Sequence, residues 1–128
     1  MKLLQRIFLL TLITVITSSS LYAQKGNKRS PEEIAQQQTK WMVKDLNLDT
    51  TQAEKVATVN LNFINKMFDA RENNMGNRDA MQAAMKTLRK KKDTELKTVL
   101  SEDQFKLYKK KLAEMREQRR GNRGGGMK

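Results

Sequence analysis

Two five-residue stretches decide how this chain folds: LDTTQ at Leu48–Gln52 and LSEDQ at Leu100–Gln104. With Ser101 at a helix N-cap, Glu102, Asp103 and Gln104 fill the first three helical positions. The Ser101 hydroxyl then accepts from the amide of Gln104, and the Gln104 side chain accepts from the amide of Ser101, which is a capping box. Leu100 stands just before the cap and Phe105 at the fourth helical position, so the two form a hydrophobic staple. Glu102 and Asp103 lie at the positive end of the helix dipole. Leu48, Asp49 and Gln52 repeat the pattern, with Ala53 as a smaller staple partner. Each cap is worth about 1 kcal/mol. Every residue of the pattern therefore has a structural role. Glutamine is neither acid nor base, and no nucleophile accompanies it. The two stretches read as corners between helices.

Outward from these corners the chain reads as helix. Its only proline is Pro31, and between Gly26 and Gly121 its only glycine is Gly76. Lys, Glu, Gln, Ala, Leu and Met fill the interval, and all favour helix. No segment alternates as a half-buried strand does. Ser30, Pro31 and Glu33 form a further helix start, with a capping box and proline at the first helical position. The first helix runs to about Leu46, with Ile34, Trp41 and Met42 as its buried residues. The second runs from about Thr50 to Asn74. Its apolar residues are Val56, Ala57, Val59, Leu61, Phe63, Ile64, Met67, Phe68 and Ala70. They span roughly 200° of the helical wheel, where a surface helix needs little more than about 100°. Such a face needs two neighbouring helices or a second chain. Asn60 lies within it as a register-fixing or partly solvated polar residue. Gly76 marks the break before a third helix, about Asp79 to Val99, striped by Met81, Met85, Leu88, Leu96 and Val99. Lys92 falls on that stripe, where its stem packs and its ammonium is expected to snorkel to water. The fourth helix runs from about Glu102 to Arg120, with Phe105, Tyr108, Leu112 and Met115 at helical spacing.

The first residues have the order of a secretory signal peptide: Lys2 and Arg6, an apolar run over Ile7–Ile16, then small polar residues. Cleavage is expected after Ala23, with no cysteine following for lipid attachment. The expected organisation is a signal peptide at 1–23, a polar leader-in at 24–29, a helical domain at 30–120 and a disordered Gly/Arg tail at 121–128. The mature chain would hold 105 residues with no cysteine and no histidine. Five aromatics remain in it, Trp41, Phe63, Phe68, Phe105 and Tyr108. So thin a core predicts an elongated or dimeric object. The mature net charge would be +10, of which +9 lies from Lys86 onward. That field attracts anionic partners.

In LNLDTTQ (Leu46–Gln52) and LSEDQFKLY (Leu100–Tyr108) the chain resembles the Spy/CpxP family of bacterial periplasmic proteins, whose LTxxQ motifs these stretches match. The first copy departs from the pattern, with Asp49 in place of threonine, and aspartate still caps. The resemblance spans roughly Ser30 to Arg120. It implies an all-α fold of about four helices in bent hairpins, paired as an antiparallel dimer with a concave cradle. It also implies functions among ATP-independent chaperones, envelope-stress adaptors and metal-responsive relatives. Some secreted relatives of this kind are domains of unknown function.

The residue types exclude most chemistry. Without histidine or cysteine, zinc has no favoured ligand. Met81 and Met85, one turn apart, would suit a soft ion such as Cu(I), but methionines at helical spacing are usually core or adaptable contact surface. No metal and no cofactor is assigned, and no acid–base pair, activated nucleophile or phosphate loop suggests an enzyme. The basic runs remain, RKKK at Arg89–Lys92 and KKK at Lys109–Lys111. Lys86, Lys90 and Lys97 share the face of the third helix opposite its stripe, and Lys106 and Lys110 pair similarly on the fourth. They read as a solvated face or as an attractor for acidic, unfolded clients, with Phe63, Met67, Met81 and Met85 supplying apolar contact. The expected function is a periplasmic chaperone-like or envelope-stress protein. Its partners would be unfolded envelope proteins or, as an adaptor, one folded periplasmic regulator such as a sensor domain. Two lesser alternatives are anionic envelope lipid and nucleic acid, the latter from RRGNRGGG at Arg119–Gly126. Export argues against nucleic acid.

Overall fold

The computed structural model describes residues 29–124. The expected leader, residues 24–28 and residues 125–128 lie outside the described residues. Four helices make up the described chain: α1 (Pro31–Leu46), α2 (Thr50–Asn73), α3 (Arg78–Val99) and α4 (Glu102–Gly124). No strand occurs among the described residues. The first three helices begin and end within one residue of their expected limits. α4 runs on past Arg120, its last turns exposed and holding an Arg120–Glu117 ion pair at 3.2 Å.

Local chemistry places the ends. Ser30 and Glu33 close a capping box on α1, with Pro31 at its first position. Asp49 and Gln52 do the same for α2. At α4, Gln104 donates its amide to Ser101 Oγ at 3.2 Å, and Ser101 donates its own to Gln104 Oε1 at 2.9 Å. Asn77 caps α3 by accepting from Ala80. The α1–α2 corner has one residue more than the α3–α4 corner, and Asn47 takes it up at φ 52°. Asparagine tolerates that left-handed conformation. Gly76 takes φ 83° in the α2–α3 turn, where a Cβ would be strained.

α2 packs along both α1 and α3, and α4 lies against α1 and α3. The broad apolar arc of α2 is therefore flanked by two helices of its own chain. Val56, Val59, Asn60 and Ile64 are buried, and Leu61, Phe63, Met67, Phe68 and Ala70 are half-buried. Ala57 is exposed, contrary to its place on the expected face. The core sits at the corner end, where Met42, Leu46, Leu48, Val56, Val59, Leu96, Leu100 and Tyr108 form one cluster. Both motif leucines belong to it. Between Asn65 and Lys91 no residue is fully buried, so the α2–α3 hairpin extends from the core as a two-helix arm.

The corners are joined to each other. Gln52 Nε2 donates to Gln104 Oε1 at 2.7 Å, and Gln104 Nε2 donates to Gln52 Oε1 at 3.2 Å. The second amide proton of each goes to the last residue of the other hairpin's entering helix: Gln52 to the Val99 carbonyl at 3.1 Å, Gln104 to the Leu46 carbonyl at 3.3 Å. Each Oε1 also accepts from its own cap's amide. Both side-chain amides thus use two donors and two acceptor positions, the full capacity of the group. The glutamines close their own caps and also terminate a helix in the opposite corner. The bonds of the clasp are reciprocal between the two corners.

Candidate functional site

The clasp fixes where α4 leaves the corner, and the aromatic side chains fix its course. Trp41 of α1 stacks on Tyr108 of α4, with ring centroids 6.1 Å apart and planes within 7°. Phe105 leans on Tyr108 at 5.9 Å. Two ion pairs hold α4 from either side, Lys109 to Asp93 of α3 at 2.6 Å and Lys111 to Asp45 of α1 at 3.8 Å. Beyond these contacts a groove of about 290 Å³ opens between the four helices.

Its floor is apolar. α1 contributes Trp41, α2 Phe63 and Met67, α3 Met85, and α4 Tyr108, Leu112 and Met115. Its rim is cationic. Arg89 comes from α3, and Lys109, Arg116 and Arg119 from α4, against one acid, Asp93. Asp93 is already taken by Lys109. Among the described residues Arg89, Arg116 and Arg119 form no ion pair. The rim therefore offers three guanidinium groups, whose planar forks suit carboxylate or phosphate.

Lys92 lies at the base of this arrangement and corrects the sequence reading. It is 8 % exposed, and its ammonium does not snorkel to water. Lys92 Nζ donates to Gln38 Oε1 at 2.9 Å and lies 4.6 Å from the centre of the Phe63 ring. Burial pulls its pKa from 10.5 down to about 8, against the opposing pull of Asp93. Tyr108 is displaced the other way. Burial first, and then the Asp93 charge, push its phenol well above the ordinary value, so it stays protonated.

Of the apolar contact residues named from the sequence, the groove brings together Phe63, Met67 and Met85. Met81 lies apart, in shallow depressions toward the Gly76 turn. None of the five lysines of the expected basic face lines the groove. Lys86, Lys90 and Lys110 are exposed. Lys97 stands 5.2 Å over the Phe105 ring, and Lys106 pairs with Glu102 at 2.9 Å. Sequence reasoning missed Gln38, Asp93, Arg116 and Arg119, and it named Arg89 and Lys109 only as members of the basic runs. The available signal was position: Arg89 follows Leu88 on the stripe of α3, and on α4 Arg116 follows Met115 with Arg119 one turn beyond it. Residues beside an apolar stripe edge a groove, whereas residues opposite it face water.

Among the described residues no group of acidic side chains could hold a metal ion. No described helix is long and apolar enough to cross a membrane. No curated protein and no solved structure is significantly similar to the chain. A family model does match it over residues 20–108, a span that holds α1 to α3, both corner motifs and the Trp41–Tyr108 stack. The chain accordingly belongs to the family DUF4890, described as a domain of unknown function.

Proposed function

We propose that this protein is an exported, periplasmic binding protein that holds unfolded or stressed acidic proteins without ATP, in the manner of the Spy/CpxP family that its two corner motifs resemble. The observation that carries the reading is the groove: an apolar floor rich in methionine under a rim of arginines that have no ion pair among the described residues. Methionine side chains re-pack against varied apolar groups. The rim and the positive second half of the chain raise the rate of encounter with acidic segments and select against basic ones. A client would insert large apolar side chains while its backbone stayed in water over the rim. The leader pattern before Ala23 is the support for export. A second copy is not needed to cover α2, since α1 and α3 flank it, so a homodimer is an accessory to this reading.

The test is aggregation of a chemically denatured acidic protein in the presence of the mature chain. Suppression should be dose-dependent, should be weaker for a basic client, and should fall in Met67→Glu, which puts a charge on the groove floor. Absence of suppression at every stoichiometry refutes the chaperone reading. The rigid frame set by the glutamine clasp favours one alternative, an adaptor that docks a single folded envelope partner. Recovery of one stoichiometric partner from envelope extract, in place of many weak ones, would select it.

A further inference from the structure

We propose that the same groove is a site for a single-chain anionic amphiphile, specifically a free long-chain carboxylate. The inference concerns the groove of the client reading but rests on separate evidence, namely its size and the scarcity of acceptors on its floor beneath the arginine rim. A volume of about 290 Å³ sits at the low end of small-molecule sites, about 300–1,000 Å³. One acyl chain is an occupant of that size.

The polar inventory points the same way. Few acceptors face the groove: Gln38 Oε1 already accepts from Lys92 at 2.9 Å and Asp93 Oδ2 from Lys109 at 2.6 Å, and no other amide or carboxylate side chain lines it. Polypeptide drawn into the floor would bring more N–H groups than the few acceptors there can satisfy, at a desolvation cost. An acyl chain brings none. Phe63, Met67, Met85, Leu112 and Met115 give it an apolar bed, in which the methionines adapt to chain bends. A carboxylate at the rim meets Arg89, Arg116 and Arg119, whose forks bind it bidentately.

Trp41 is the only tryptophan of the chain and lines this groove, so its emission reports occupancy directly. The mature protein is titrated with laurate below its micelle concentration. A saturable change with one laurate per chain by calorimetry is expected. Lengthening the chain from octanoate to laurate should tighten binding by about fourfold per methylene, from the burial of each CH₂. Dodecanol, with the chain but no charge, should bind at least tenfold more weakly, and acetate not at all. The triple variant Arg89→Ala/Arg116→Ala/Arg119→Ala removes only exposed side chains, so the fold should persist by circular dichroism while laurate affinity falls at least tenfold. Anionic phospholipid vesicles should leave Trp41 unchanged. The proposal is overturned if laurate produces no saturable change, if dodecanol or the triple variant binds equally well, or if vesicles outcompete laurate. Saturable laurate binding without any suppression of aggregation would uphold this site and refute the client reading. Suppression without laurate binding would do the reverse.

Discussion

Replacing Gln104 by alanine removes four side-chain hydrogen bonds: two to Gln52, one from Ser101 and one to Leu46. Gln52→Ala also removes four, two of them the same bonds. The double variant therefore loses six in place of eight. Both side chains are half-buried, so each bond is set near the low end of the net range, about 0.5 kcal/mol. Each single substitution should cost about 2 kcal/mol and the double about 3, leaving a coupling energy of about 1 kcal/mol. For a domain of this size, a loss of about 2 kcal/mol lowers Tm by roughly 8–16 °C. Urea denaturation followed by far-UV circular dichroism measures all four corners of the cycle, provided the urea dependence stays constant. If the two costs add to within about 0.3 kcal/mol, the glutamines are two independent caps and the clasp is not an energetic unit.

Lys92 should make stability depend on pH. The unfolded lysine keeps its proton to about 10.5, whereas the folded one loses it near 8. Between those values the unfolded state binds more protons, so stability rises with pH, by on the order of 3 kcal/mol over the whole window. Tyr108, with its folded pKa raised, opposes this above about pH 10. Denaturation series between about pH 7.5 and 9.5 should therefore slope upward in the wild type and less so in Lys92→Met; equal slopes would refute the assignment. Asn60 is 0 % exposed, and its Oδ1 has no hydrogen-bond partner among the described residues, while Nδ2 reaches Thr39 Oγ1 at 3.0 Å. Asn60→Val removes that buried acceptor with a smaller change of volume than leucine would bring, and Thr39 keeps its bond to the Ala35 carbonyl. The variant should be more stable by about 1 kcal/mol in thermal melts; a destabilised variant would instead support the register-fixing role.

Helix limits were legible because their causes lie within a few residues. The caps at Ser30, Asp49 and Ser101 and the turn at Gly76 each carry their own chemistry, and the periodic stripes locate Met42, Val56, Leu96 and Tyr108 in the core. The clasp was not legible, although its residues were named. Gln52 and Gln104 meet only because α1 and α3 end at the same level, and no local pattern fixes that; the repeat itself was its only trace. The expected basic face and the groove do not coincide, for a related reason. A helical wheel groups Lys86, Lys90 and Lys97 opposite the stripe, yet the groove depends on the course of α4. That course is set by the Trp41–Tyr108 stack and the ion pairs at Lys109 and Lys111. Only side chains flanking the stripes, such as Arg89 and Arg116, reach it. Lys92 was read on the correct face but with its ammonium in water. The acceptor on Gln38 and the Phe63 ring, both from other helices, hold it inside.

If the groove is where this protein meets its partner, a probe on its floor should touch that partner first. The chain has no cysteine, so single cysteines at chosen positions can carry a photo-crosslinker without interference. Met67→Cys places the probe on the groove floor, and Met75→Cys places it at the arm's tip, where Met75 is 82 % exposed. With a denatured acidic protein, crosslinks should form from position 67, should be suppressed by excess laurate, and should be sparse from position 75. Equal or stronger crosslinking from position 75 would contradict the claim and move the binding surface out of the groove.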